Sequence, residues 1–304
     1  MALPTYQDAM LPVLRSLDDG IARHIGEIVS EVIEGFGLTE ADRKEMLPSG
    51  QSTVIGSRIG WARTYLKKAG LIEKMPGRGI YKITASGLEV LKRNPAKIDN
   101  GLLSEFSGFA EWIKRSNETT ETATNVIGNS SDQTPDEALA SAYLTLRTEL
   151  SLEILEKMKS CTPAFFERLV VELLVKMGYG GTREDAGQAV GKSGDGGIDG
   201  IIKEDRLGLD LIYLQAKRWE ATVGRPELQA FAGALLGKQA RKGVFITTSN
   251  FSSGAKSYVD TITSNIILID GEQMAELMID YNVGVSVAAT YEIKRIDSDY
   301  FVEE

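Results

Sequence analysis

The chain has 304 residues, more than one average domain and enough for two, with 42% hydrophobic and 25% charged residues, as in ordinary globular proteins. One cysteine, Cys161, excludes an internal disulfide and suits a reducing cytosol, and one histidine, His24, argues against a His-built metal site or a Ser-His-Asp triad. No apolar run reaches the ~18–20 residues of a membrane span, and MALPTYQDAM lacks the basic-then-apolar plan of a secretory signal, so a cytoplasmic protein working through carboxylates and lysines is expected.

The net charge of −9 disfavours a nucleic-acid partner only as an average. Residues 58–97 hold 10 Lys/Arg against 2 Asp/Glu, a local +8, whereas residues 1–57 carry −5, residues 98–160 carry −6 and residues 161–304 carry −6. A concentrated basic segment is the footprint of a phosphate-binding surface. Around it, apolar spacing predicts helices over Leu11–Leu17, Ile21–Phe36 and Ser57–Ala69. The third buries Ile59, Ala62, Leu66 and Ala69 and turns Gly60, Thr64, Lys67 and Lys68 outward, with Arg63 on the flank. A hairpin follows: Leu71–Met75, the turn Pro76-Gly77-Arg78-Gly79, and Ile80–Thr84. Helices followed by a basic hairpin give a winged helix-turn-helix domain over residues 1–97, and Arg58, Arg63, Lys67, Lys68 and Arg78 are its candidate DNA-binding residues. Trp61 and Tyr65 are read as core residues rather than base-stacking ones.

Residues 98–150 form a linker with helical segments. Within it residues 116–134, SNETTETATNVIGNSSDQT, are too polar to pack and are read as flexible; a helix is expected to start at Pro135-Asp136-Glu137. Residues 151–304 then alternate. The pattern predicts a helix over Pro163–Met177, strands at 197–202 and Leu209–Lys217, a helix over Pro226–Leu236, a strand over Gly243–Thr248, a helix over Ser252–Ile262, a strand over Asn265–Asp270 and a helix over Glu272–Tyr281. That order makes a mixed-sheet α/β domain.

The chemistry concentrates at Asp199 and Gln215-Ala216-Lys217. Residues two apart on a strand share a face, so Gln215 and Lys217 project together while Ile212, Leu214 and Ala216 face a core. If the hairpin closes, Asp199 lies opposite them. One carboxylate, one amide oxygen and the Ala216 carbonyl suit a hard cation such as Mg²⁺, with Mn²⁺ as a substitute, because such ions take oxygen ligands and need few carboxylates. Such a site could polarise a phosphodiester, with Lys217 positioning a water or balancing charge at phosphorus.

The pattern Asp–x15–Gln-x-Lys, with the strings GDGGIDG and LQAKRW, resembles the PD-(D/E)XK nuclease superfamily and, more narrowly, the Mrr-type restriction endonucleases. FFERLVVELLVKMGY before the motif and FAGAL, GVFITTSNFS and ILIDG after it extend the likeness over residues 150–285, and the basic N-terminal domain matches the winged helix this family carries. The resemblance implies a restriction-endonuclease-like catalytic domain over residues 151–304 that cuts double-stranded DNA bearing foreign methylation. It implies that Asp199 and Gln215 bind metal, that Lys217 is catalytic, and that Glu167 is the acidic residue of the first helix; Glu167 lies about 20° of helical rotation from Leu174 and can reach the sheet end. Ile198 stands where proline is frequent in the superfamily. Cutting two strands needs two active sites, so a homodimer or larger assembly is expected. A repair or structure-selective nuclease with the same site and a non-catalytic DNA-binding regulator are the rival functions. Lesser candidates are Asp195, read as a turn residue, Thr247, Thr248 and Ser249, read as helix-capping groups or phosphate contacts, and Gln229 and Lys256 as DNA contacts. Cys161 is read as a buried small hydrophobe.

Overall fold

The computed structural model describes residues 3–118, 132–180, 198–205, 209–294 and 296, without the side chains of residues 115–118. The chain divides into two compact units, the second of which is Thr145–Glu292. None of the described helices is long and apolar enough to cross a membrane.

The first unit opens with α1 (Tyr6–Arg15), whose start is fixed by a reciprocal cap: the Asp8 amide donates to Thr5 Oγ1 at 3.1 Å and the Thr5 amide donates to Asp8 Oδ2 at 2.9 Å. This cap carries the helix back past the expected Leu11 and leaves Pro12 inside it. The single helix expected over Ile21–Phe36 is instead β1 (Arg23–His24) followed by α2 (Ile25–Gly35). A short α3 (Glu40–Lys44), capped by Thr39, precedes α4 (Val54–Lys68). The hairpin is β2 (Ile72–Lys74) and β3 (Ile80–Ile83), paired antiparallel with Ile72 opposite Ile83. β1 adds to β3 on its other edge, Arg23 opposite Tyr81, giving the sheet order β1-β3-β2. Helix, strand, three helices and a hairpin closed by that first strand make the winged helix-turn-helix plan.

Its core gathers Met10 and Leu14 of α1, Ile28 of α2, and Ile55, Ile59, Ala62 and Leu66 of α4 with Leu71 and Ile83 of the hairpin. Next come α5 (Ala85–Lys92), α6 (Asn100–Leu103) and α7 (Ser107–Glu118). Gly87 sits so close to the hairpin that a Cβ there would meet the Leu71 carbonyl oxygen at 2.2 Å. α8 (Pro135–Ser160) begins where the proline and acidic residues place it, with Thr134 and Glu137 capping each other.

The second unit continues from α8 into α9 (Pro163–Lys176). A four-stranded sheet follows, ordered β4-β5-β6-β7: β4 (Gly200–Lys203), β5 (Leu211–Lys217), β6 (Lys242–Thr247) and β7 (Asn265–Ile269). β4 and β5 are antiparallel; β5, β6 and β7 run parallel, joined by α10 (Arg225–Gly237) and α11 (Ser253–Thr261), and α12 (Gly271–Asp280) follows β7. Parallel pairs need crossover helices; here both crossovers, α10 and α11, cover one face of the sheet, and α9 and α12 cover the other. Ile212, Leu214, Ala216 and Ile246 pack with Phe166, Leu173 and Met274 on one face; Phe245 and Ile266 pack with Leu228, Phe231 and Ala255 on the other.

Candidate active site

The hairpin closes as the motif requires. Gly200 pairs with Leu214, so Asp199 stands opposite Gln215 just before β4 begins. The Asp199 amide donates to the Leu214 carbonyl at 2.8 Å, and the Ala216 amide donates to Asp199 Oδ2, also at 2.8 Å. One carboxylate oxygen therefore replaces the ladder partner that β5 lacks at Ala216. The Ala216 carbonyl lies on the same strand edge as its amide. Gln215 is 5% exposed and paired with Phe245 of β6, while Lys217 is half-buried with Nζ 6.0 Å from the centre of the Trp219 ring.

Glu167, half-buried on α9, completes the cluster. Burial pushes its carboxyl above the usual glutamate range, the Asp199 charge pushes the same way, and the Lys217 charge pulls it back. Both charges are felt at Glu167, so the three groups share one neighbourhood. Among the described residues no three or more His, Cys, Asp or Glu side chains gather into a metal cage. The donors available here are two carboxylates, one amide oxygen and one backbone carbonyl. That all-oxygen set fits a hard divalent cation that keeps part of its water shell.

Thr247, Thr248 and Ser249 act differently from either expected role. All three are buried, and their hydroxyls staple the chain that follows Lys217: Thr247 Oγ1 donates to the Lys217 carbonyl at 2.9 Å, Thr248 Oγ1 to that of Trp219 at 2.8 Å, and Ser249 Oγ to that of Glu220 at 3.2 Å. The cap of α11 is Ser252 instead. Arg218 donates through Nη1 to the Lys159 carbonyl at 2.7 Å, tying the same stretch to the end of α8. Sequence reasoning missed this loop; its signal is the run of three hydroxyl residues ending the strand beside the motif.

The basic residues of the first unit separate. Lys67 and Lys68 are exposed on α4, Lys68 with Nζ 5.6 Å from the Trp112 ring centre, and Arg78 is exposed at the hairpin tip. Arg63 is half-buried, its guanidinium 5.1 Å from the centre of the Tyr81 ring. Arg58 departs from the DNA-facing reading. It is turned inward, with Nε 2.7 Å from Glu137 Oε1 and Nη1 donating at 2.9 Å to the carbonyls of Leu3 and Pro4. Tyr65 is in the core, where burial and then the nearby Tyr6 push its phenol up to about 12, and Trp61 donates to Asp136 Oδ2 at 3.2 Å. Gln229 and Lys256 are exposed on α10 and α11. Cys161 is half-buried rather than buried, its thiol 3.1 Å from the Met158 carbonyl. Asp195 lies outside the described residues.

Comparison with known proteins gives concordant results. Residues 6–93 match the model of the Mrr N-terminal domain, and residues 158–278 match that of a restriction endonuclease catalytic domain. A type IV methyl-directed restriction enzyme of Escherichia coli (strain K12), EcoKMrr, is 38% identical over 311 residues, spanning 99% of this chain and 100% of that protein. Among solved structures, the DNA modification-dependent restriction endonuclease AspBHI aligns with a TM-score of 0.35 at 18% identity, over 70% of this chain and 56% of that one. The MspJI restriction endonuclease bound to a 27-mer oligonucleotide aligns with a TM-score of 0.28 at 17% identity, over 70% and 53%. The chain thus spans little more than half the length of either solved structure. Endonucleases of this fold generally use divalent metal ions. With both domains matched in order and that identity held along both full lengths, the chain belongs to the Mrr-type restriction endonucleases, DNA-cleaving enzymes that join a winged helix to a PD-(D/E)XK catalytic domain.

Proposed function

We propose that this chain is a Mg²⁺-dependent endonuclease that restricts foreign methylated DNA, working in the cytoplasm as a homodimer or larger assembly. The observation that carries the catalytic part is the bond from the Ala216 amide to Asp199, which locks the motif's carboxylate beside Gln215 within charge range of Glu167 and Lys217. Asp199, Gln215 and the Ala216 carbonyl would hold Mg²⁺ or Mn²⁺, with Glu167 orienting a water or completing the ligand set. A bound cation supplies charge neutralisation at the scissile phosphate and acidifies water for attack. Lys217 holds that water in line or offsets the charge that grows on phosphorus. Arg63, Lys67, Lys68 and Arg78 dock the duplex backbone; phosphate contacts of this kind set register and affinity but not sequence.

The name of the K12 relative, methyl-directed, supports the substrate class. Two equivalent strands to be cut support the homodimer. The test is cleavage of plasmids carrying different methylation patterns, and of branched duplexes, with and without Mg²⁺. Cutting confined to methylated plasmids and abolished by EDTA supports the reading; equal cutting of unmethylated or branched DNA replaces it with a structure-selective nuclease.

A further inference from the structure

Two residues after Lys217 the chain exposes Trp219, 39% accessible to solvent. Large aromatic rings are usually mostly buried, so a ring left in water beside a catalytic cluster calls for a partner. The backbone that carries it is held tightly. The Trp219 amide donates to the Lys217 carbonyl at 3.0 Å, and its own carbonyl accepts from Thr248 Oγ1 at 2.8 Å. The Glu220 carbonyl accepts from Ser249 Oγ at 3.2 Å, and the Val223 amide and carbonyl bond to Asn250 and Ser252 at 2.8 and 3.0 Å.

Burying three hydroxyl side chains costs free energy unless their hydrogen bonds are made. Here they are made to the carbonyls of the Lys217–Glu220 stretch. A fixed backbone with an exposed ring is the arrangement of a preorganised recognition element, because little entropy remains to be lost on binding. A ring serving only to pack the loop would be covered by it.

We infer that Trp219 is a DNA-contacting residue whose ring bears on the sugar or base flanking the scissile phosphate and holds that strand in place against Lys217. The ring lies 6.0 Å from the Lys217 ammonium, so the nucleotide whose phosphate meets Lys217 must pass the ring as well. This inference rests on the nuclease reading of the same site.

The chain has three tryptophans, Trp61, Trp112 and Trp219, so emission from Trp219 can be isolated by difference against Trp219→Phe. The experiment adds a methylated duplex to the full-length protein in Ca²⁺ and records tryptophan emission, acrylamide quenching and DNA anisotropy together; cleavage is followed separately in Mg²⁺. The expected result is that the complex changes and shields the Trp219 share of the emission. Trp219→Ala should lower kcat/KM about fivefold or more, as removal of a stacking ring does, while Trp219→Phe retains most of it. Thermal unfolding of both variants separates contact from misfolding. Unchanged Trp219 emission and quenching in a complex that anisotropy shows to be formed, with the wild type cleaving in Mg²⁺, would overturn the inference and leave the nuclease intact. A wild-type protein that neither binds nor cuts the duplex would overturn both.

Discussion

Asp199 commits one carboxylate oxygen to the Ala216 amide, which leaves the other free to take the proposed cation. Asp199→Ala should therefore lose cleavage and also about 1.5–3 kcal/mol of stability, the range for a hydrogen bond to a charged group. Asp199→Asn keeps an oxygen acceptor for Ala216 and should lose cleavage with a clearly smaller drop in stability; urea unfolding of both variants checks this, and equal losses would contradict the assigned bond. Glu167 gives a pH signature. Its folded-state pKa lies above the ordinary value through burial and then the Asp199 charge. The folded form thus binds the proton more tightly than the unfolded form, and stability falls as pH rises between the two values. A divalent cation reverses the repulsion from Asp199, so Mn²⁺ affinity should weaken as pH falls through the raised value. Glu167→Gln should flatten that dependence; Mn²⁺ titrations followed by magnetic resonance across pH provide the check, and an unchanged slope would remove Glu167 from the site. The juxtaposition of Asp199 with Gln215 and Lys217 is legible in the sequence because it needs only strand alternation and a hairpin. The staples from Thr247, Thr248 and Ser249 are not, because they depend on β5 lying parallel to β6 with Lys217 opposite Thr247.

α4 mixes an inward-turned cation, Arg58, with the exposed Lys67 and Lys68, which the sequence presents alike. Replacing Arg63, Lys67 and Lys68 together by Ala should flatten the log–log salt dependence of duplex binding by up to about 3 units, roughly 0.9 for each phosphate no longer neutralised. Arg58→Ala should leave that slope unchanged and instead lower stability by roughly 2 kcal/mol, since it removes the cation paired with Glu137 Oε1, on a side chain only 11% exposed. Salt-dependent anisotropy and thermal unfolding read the two effects separately; a flattened slope in Arg58→Ala would return that residue to the DNA surface. The hairpin and α4 are legible because their apolar periods are long enough to register. β1 is not, since two residues show no alternation and its pairing with β3 spans nearly sixty residues of sequence. α3 is too short for periodicity, although its Thr39–Asp42 cap is visible in the sequence. The inward turn of Arg58 depends on Glu137, far along the chain, which charge counting cannot see.

Across the whole molecule the net charge of −9 hides an uneven distribution, with +8 over residues 58–97 and −6 over residues 161–304. Counterion release favours the basic segment for duplex binding, while the acidic half suits a site that recruits cations. In the proposed function, cleavage arises at the Asp199–Gln215–Lys217 cluster while affinity for DNA resides mainly in the winged helix. Its most direct test measures, on one full-length Lys217→Ala protein in Mg²⁺, the cutting of methylated supercoiled plasmid and the affinity for a methylated duplex. No detectable cutting and an affinity within about twofold of the wild type are expected, because a single lysine neutralises at most about one phosphate. Cutting at the wild-type rate would contradict it.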